Sequence, residues 1–326
     1  MSYSFLRESK LYIVYGGNKY RIYTSSAISL NQTFAEDSYS VKTLHDQSKM
    51  FEGSKITKAN PASFSFDIPL TIEKDESIML TLATEIDTTA ESGITTQQLK
   101  SFDAYIQTGS STFKLEGAVI TGATFDFVQE NQFTLRLEGE GKKLSRVAYY
   151  DTTGTPRWDD VLDDSAYTIP GTAQSESSTR TPLIVYPYLI MDSLNMSSII
   201  SCNLQIQNNI EWTPYENLNS SLSVTNSSNA IFPTTYTLGN RIISGEIRQY
   251  QTDNTVGQFD DFSTNTNMTI KAFQVGTASD QTPFFQIQLN PVMYTARLQM
   301  ADVYAQSYDF RSLDNTVLQT SITQYS

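Results

Sequence analysis

Residues 61–75 read PASFSFDIPLTIEKD (Pro61–Asp75), and the pattern inside them sets the fold class. Phe64, Phe66, Ile68, Leu70 and Ile72 alternate with Ser65, Asp67, Pro69 and Thr71. Strict alternation of this kind makes a strand with one face on a core and the other in water. A second stretch, IISGEIRQYQTDN (Ile242–Asn254), repeats it at an offset of 179 residues. That offset sets Phe64 on Ile243, Asp67 on Glu246, Ile68 on Ile247 and Asp75 on Asn254. The two stretches predict two copies of one module.

Composition agrees with a β protein. Of 326 residues, 39% are apolar and only 17% charged, with 17 Phe and 19 Tyr to fill a core. Polar residues without charge, many Thr and Tyr, and few long helical patterns favour strands. No apolar run is long enough to cross a bilayer as a helix, and MSYSFLRESK at the start has no apolar core of an export signal. The single cysteine, Cys202, excludes an internal disulfide and points to a reducing compartment. Net charge is −13 and unevenly spread: residues 1–150 hold 15 Lys/Arg against 18 Asp/Glu, leaving 7 against 17 for the rest. An acidic surface repels phosphates, which excludes tight nucleic-acid binding but allows passing contact.

Along the chain, LYIVY (Leu11–Tyr15) and Tyr20–Tyr23 flank a Gly16-Gly17-Asn18 hairpin turn. Ala27–Phe34 alternates again, with Ser29, Asn31 and Thr33 on its polar side. Ala35–Ala62 then reads as a long polar loop carrying scattered apolar residues. After the 61–75 strand, Asp75 caps an expected helix over Glu76–Thr84. A polar connection, Asp87–Thr96, leads to strands at Phe102–Gln107, Thr112–Glu116, Val119–Val128 and Gln132–Glu138. Ala148–Arg180 breaks the rhythm and reads as a linker, dividing the chain into modules 1–147 and 181–326 with residues 148–180 between them. The second module repeats the order: strands at Leu183–Met191 and Ser201–Ile210, a long polar loop over Glu211–Asn240, and the second organising strand. Val256, Phe259 and Phe262 then predict a short helix. Further correspondences set Ala104-Tyr105 on Ala272-Phe273, Phe113-Lys114-Leu115 on Phe285-Gln286-Ile287, and Phe133-Thr134-Leu135-Arg136 on Tyr308-Asp309-Phe310-Arg311. An ordered series of this length argues for internal duplication.

Chemistry is sparse. One histidine, His45, cannot make a multi-histidine metal site or a two-histidine relay, and it reads as a loop residue. No serine sits in a nucleophile-elbow glycine pattern. Cys202 falls on the apolar side of its strand and reads as a core thiol. Asp159, Asp160, Asp163 and Asp164 lack the spacing and glycine of a calcium loop and read as a solvated acidic linker. Gly16-Gly17 and Gly139-Glu140-Gly141 have lysines close behind but no following helix, so both read as hairpin turns rather than phosphate loops. Asp67 and Glu246 could pair as catalytic carboxylates, but they hold the same outward position in two copies of one strand. The expectation is a protein without enzymatic activity, metal or cofactor.

Three motifs carry a family resemblance: SFLRESKLYIVYGG at the start, CNLQIQNNIEWTP (Cys202–Pro214) leading into the second long loop, and ISGEIRQY (Ile243–Tyr250) after it. With the tandem order of elements, the chain resembles the major tail tube proteins of long-tailed bacteriophages. It is most similar to the siphophage form, whose tube domain is duplicated within one chain. The resemblance implies a mainly β fold of two tandem tail-tube β-sandwich modules, each with a flanking helix and a long loop. It implies trimeric, pseudo-hexameric rings whose inner sheets join into a ring-wide β-barrel. Rings would stack around the tape-measure protein, between tail-tip and tail-terminator proteins, and later conduct double-stranded DNA without holding it. The place implied is the virion tail, assembled in the host bacterial cytoplasm, with no membrane partner.

Under that resemblance the wet faces of the strands flanking the long loops become lumen candidates. These are Ser29, Asn31, Ser65, Asp67 and Thr71 in the first module, and Asn203, Gln205, Gln207, Glu246 and Arg248 in the second. They are expected to form a mildly acidic wall, with Arg248 the exception. The long loops are expected to reach the adjacent ring through Met50, Phe51, Ile56, Ile231 and Phe232, ordering only on stacking. A β-sandwich adhesin with Tyr-rich loops is the alternative reading; it has no need of a duplicated module. A contractile-tail tube subunit shares the fold but is generally single-module.

Overall fold

The structure, a computed structural model, describes residues 9–39, 53–71, 76–91, 94–108, 112–128, 131–147, 168–174, 179–192, 194–212, 232–253, 255, 262–274, 283–299 and 303–322. His45, Met50, Phe51, Asp75, the acidic cluster from Asp159 to Asp164, Ile231, Val256 and Phe259 lie outside them.

The protein is mainly β, a sandwich-like fold with one helix among the described residues. Strands β1 (Lys10–Tyr15) and β2 (Asn18–Ile22) form the first hairpin, turning on Gly16 and Gly17, both at positive φ. They are followed by β3 (Ser29–Asn31), β4 (Phe34–Tyr39), β5 (Gly53–Ala59) and β6 (Ala62–Pro69). Helix α1 (Ser77–Thr84) comes next, then β7 (Ile86–Glu91), β8 (Ile94–Leu99), β9 (Phe102–Gln107) and β10 (Thr112–Val128). Strands β11 (Thr134–Gly141) and β12 (Lys143–Arg146) complete the first half, and β13 (Thr172–Ala173) lies beside β2. The second half holds β14 (Val185–Met191), β15 (Ile199–Trp212), β16 (Tyr236–Tyr250), β17 (Phe262–Gln274), β18 (Phe285–Gln299) and β19 (Ala305–Ile322).

Strand β10 joins the layers of the first half and both halves of the chain. Its first part, Thr112–Glu116, lies between β9 and β12; its second part, from Val119, lies between β11 and β15. Between the parts stands Gly117 at φ +56°, where the register with β9 shifts. The bend lets β10 contribute to two layers, which meet across Phe64 and Phe102, edge to face at 6.0 Å. Seven residue pairs, Gly122↔Gln207 to Val128↔Ser201, then weld the first half to the second.

The strands of the two halves follow the same order. In the first it is β3-β6-β11-β10-β9-β1, and in the second β15-β16-β19-β18-β17-β14. Strand β19 runs along β18 where β11 and β12 together run along β10. The register is less uniform: Asp67 faces Arg136, whereas Glu246 faces Asp309. The correspondence of Asp67 with Glu246 and that of Arg136 with Arg311 therefore differ by two residues, and cannot both hold.

One buried apolar cluster spans both halves. It contains Phe64, Phe66, Ile68 and Leu70 of the organising stretch, Ile243 and Ile247 of its counterpart, and Cys202, Leu204 and Ile206 of β15. Phe125 of β10 stacks on Phe285 of β18 with centroids 5.6 Å apart, and Phe127 on Phe133 at 4.7 Å. Glycine permits two close strand contacts: a Cβ at Gly139 would meet the Phe64 ring and the Val119 carbonyl, and one at Gly245 the Phe310 ring and the Asn203 carbonyl. The Gly139–Gly141 segment is thus strand interior, not the hairpin turn expected from its glycines.

Helix α1 buries Met79, Leu80, Leu82 and Ala83, and begins one residue later than expected. Its end is held by the second half: Arg241 of β16 donates to the Ala83 carbonyl at 2.9 Å, and burial lowers the guanidinium pKa to about 10. The helix expected from Val256 to Phe262 does not include Phe262, which opens strand β17. Two expected loops also contain hairpins: β4 pairs with β5 within Ala35–Ala62, and β7 with β8 across Asp87–Thr96. Their sequences, FAEDSY with GSKITKA and IDTTAE with ITTQQL, carry no apolar alternation, and periodicity is silent on strands of that kind.

Candidate functional site

The row of strands β3-β6-β11-β10-β15-β16-β19-β18 presents one mostly polar face, opposite the buried side chains, with Val128, Ile242 and Met293 as its apolar members. Side chains on alternate residues line up across it in register. One row reads Ser29, Ser65, Glu138, Gly122 and Gln207. The next reads Asp67, Arg136, Thr124, Gln205, Ser244, Arg311 and Met293. A third reads Thr134, Asp126, Asn203, Glu246, Asp309 and Thr295, and a fourth passes through Ser201, Arg248, Ser307 and Arg297. Two open hollows mark the face. One of about 590 Å³ lies over Asn203, Glu246, Thr295, Asp309 and Arg311, and one of about 240 Å³ over Thr124, Arg136, Glu138 and Gln207.

Ser29, Asn31, Ser65, Asp67, Asn203, Gln205, Gln207, Glu246 and Arg248 all lie on this face. Thr71 does not. It is buried, its hydroxyl donating to Glu76 Oε2 at 2.9 Å, because the alternation of β6 ends at Pro69 and the chain turns inward there. The face carries a slight excess of acid, with more arginine than expected. The four rows bring Asp67, Asp126, Glu138, Glu246 and Asp309 together with Arg136, Arg248, Arg297 and Arg311. Arg136 Nε stands 3.2 Å from Asp67 Oδ1, and Arg297 Nη2 pairs with Asp309 Oδ2. Arg248 donates to Gln299 Oε1 at 3.0 Å, and Asn203 donates to Asp126 across the seam between halves. The added residues belong to strands already legible as alternating, Thr124-Phe125-Asp126-Phe127 among them. What the sequence lacked was the pairing that lays those strands side by side.

The expected inter-ring residues separate. Ile56 lies in β5, its backbone opposite Glu36. Phe232 has contacts within its own chain: its ring lies edge-on to Phe34 at 6.4 Å, with Lys143 Nζ 4.8 Å above it. The hairpin that carries it, β15–β16, reaches across the first half. Trp212 Nε1 donates to Glu140 Oε2 at 2.6 Å, and Tyr236 donates its hydroxyl to the Leu99 carbonyl at 2.9 Å.

No catalytic geometry accompanies the face. Cys202 lies under it, 1% exposed, and burial pushes its thiol pKa far up. Among the described residues, no three acidic, histidine or cysteine side chains converge to hold a metal. No described helix is long and apolar enough to cross a membrane. A long multistranded surface of in-register polar residues, without a pocket chemistry, is the feature on which comparison with known proteins bears. The bacteriophage baseplate tube protein family matches over residues 1–320. The chain belongs to that family. It is therefore a phage baseplate or tube protein, with a structural role in the virion tail or baseplate. No curated protein matches the chain.

Proposed function

We propose that three copies of this chain close into a ring of six tube modules, each chain supplying residues 1–147 and 181–326 joined by 148–180. The more specific reading is a tube protein of the siphophage type with an internally duplicated tube domain. One observation carries the proposal: the six strands of each half follow the same order, and the halves join edge to edge through β10 and β15. An internal seam between like modules is the contact a ring repeats between chains, here from β18 of one copy to β3 of the next. Closure would satisfy the outer edges of both strands.

In that ring the polar face becomes the wall of the channel. Phosphates are held by cations that displace counterions, and here Arg136 and Arg297 already face Asp67 and Asp309. Double-stranded DNA passes such a wall without adhering. The rings stack around the tape-measure protein during assembly in the host bacterial cytoplasm, with tail-tip and tail-terminator proteins at the two ends. The subunit performs no catalysis and needs no cofactor. Electron microscopy of the purified protein at high concentration tests the reading: hollow tubes of stacked rings, with six lobes from three chains in cross-section, are expected. Closed trimers that never stack would refute it and return the adhesin.

A further inference from the structure

The edge of β18 that ring closure requires is already occupied by the chain itself. In the first half β9 spans six residues and pairs with β10 from Thr112 to Ala118, leaving the second part of that edge to β15. In the second half β17 spans 13 residues. Its Met268–Ala272 stretch pairs with Phe285–Leu289, as β9 does with β10. The additional stretch continues along β18, with Phe262↔Thr295, Ser263↔Tyr294 and Thr266↔Val292. It lies where β15 lies in the first half.

This stretch is irregularly paired. Its three pairs are broken by register shifts on both sides of Thr266, whereas β10 and β15 make seven without a break. Strand β14 pairs with β17 only from Met268 onward, so the stretch has a strand neighbour on one side. Asn265 and Asn267 are exposed; Thr266 is buried, and Asn267 donates to Asp192 Oδ2 at 2.7 Å. An unpaired strand edge invites pairing with any other chain, and a short covering strand blunts it.

We propose that Phe262–Thr266 is a removable cap on β18, displaced during assembly by β3 of a second copy. The proposal rests on the ring reading. The occupant follows from topology: β3 heads the first row of strands as β15 heads the second, and among the described residues β6 is its one strand partner. The capped subunit stays monomeric; exchange of one strand for another opens the edge at the moment of closure.

A disulfide across the cap tests it. Phe262→Cys with Thr295→Cys places cysteines at directly paired positions, while native Cys202 is buried and stays out of the chemistry. The oxidised variant should need at least ten times the wild-type concentration to form rings, and reduction should restore assembly. Amide exchange reads the cap without relying on a lock. In monomer, Phe262–Thr266 should exchange at least tenfold faster than Met268–Ala272; on assembly, Ser29–Asn31 should slow at least tenfold. Oxidised protein that assembles like wild type would overturn the cap and leave the ring standing; rings in which Ser29–Asn31 stay unprotected would overturn the cap together with the β18–β3 seam. Absence of rings from wild type and both redox forms would overturn the ring reading and the cap with it.

Discussion

Replacing Gly245 by alanine puts a methyl group where the structure has none to spare. The new Cβ would stand 2.5 Å from Phe310 Cζ and 2.8 Å from Cε1, and closer still to the Asn203 carbonyl oxygen. The ring can rotate; the carbonyl cannot, because Asn203 is in register with Glu246 on one side and Asp126 on the other. Relief must come from shifting β15 or β16 within the sheet, and overpacking of this kind costs about 1–3 kcal/mol. Gly122 provides the internal control. It lies on the same sheet, yet its added Cβ would come no nearer than 3.5 Å to Glu138 Cβ, an ordinary contact. Gly122→Ala should be neutral or raise stability by a few tenths of a kcal/mol, since alanine loses less backbone freedom on folding. The assay is thermal and urea unfolding of both variants beside wild type. At ~2 °C per kcal/mol for a protein larger than 250 residues, Gly245→Ala should melt about 2–6 °C lower with an unchanged urea m-value. Equal melting of the two variants would refute the argument that backbone approach, not strand propensity, fixes glycine at 245.

Three further outcomes are expected. Arg241→Ala removes the donor to the Ala83 carbonyl, a contact between the halves, and should cost about 1–3 kcal/mol in denaturant titration, with faster amide exchange at the end of α1. Thiol reagents should leave Cys202 unmodified in native protein and modify it fully in urea, because the thiol is buried and its pKa is raised by that burial. Asp67→Lys with Glu246→Lys should turn the polar face cationic: assembled protein should then retain double-stranded DNA at low salt and release it steeply as salt rises, while wild type retains little at either.

The strands with a buried face were legible in the sequence, for a physical reason. Phe64 to Leu70, Cys202 to Ile206 and Phe125 to Phe127 each bury alternate side chains, and burial is what alternation encodes. The ribbons β4–β5 and β7–β8 were read as loops because their sequences carry no apolar alternation. Glycines misled where they serve close packing: Gly139 looked like a turn and sits in a strand opposite Phe64. The candidate surface was half legible. Nine of the ten lumen candidates lie on the polar face, since the same alternation that buries one side wets the other. Arg136, Arg297 and Arg311 were missed, although Arg248 was named, because charge balance on a sheet depends on which strands are neighbours. Asp67 meets Arg136 across 69 residues of chain, and Asp309 meets Arg297 across 12. Pairing over such distances leaves no mark in a window of ten residues.

The weld between β10 and β15 also has a consequence in time. A ribosome delivers the first half complete, up to Arg146, while the partner of Gly122–Val128 is still unmade. The interval from Val128 to Ser201 is about 70 residues, or on the order of 4–15 s at bacterial synthesis rates of about 5–20 residues per second. For those seconds each nascent chain displays an open, seven-residue sheet edge flanked by Phe125 and Phe127. Neighbouring chains on one polysome carry the same edge, so fast translation or a chaperone at the exit guards yield more than added stability of the finished fold would.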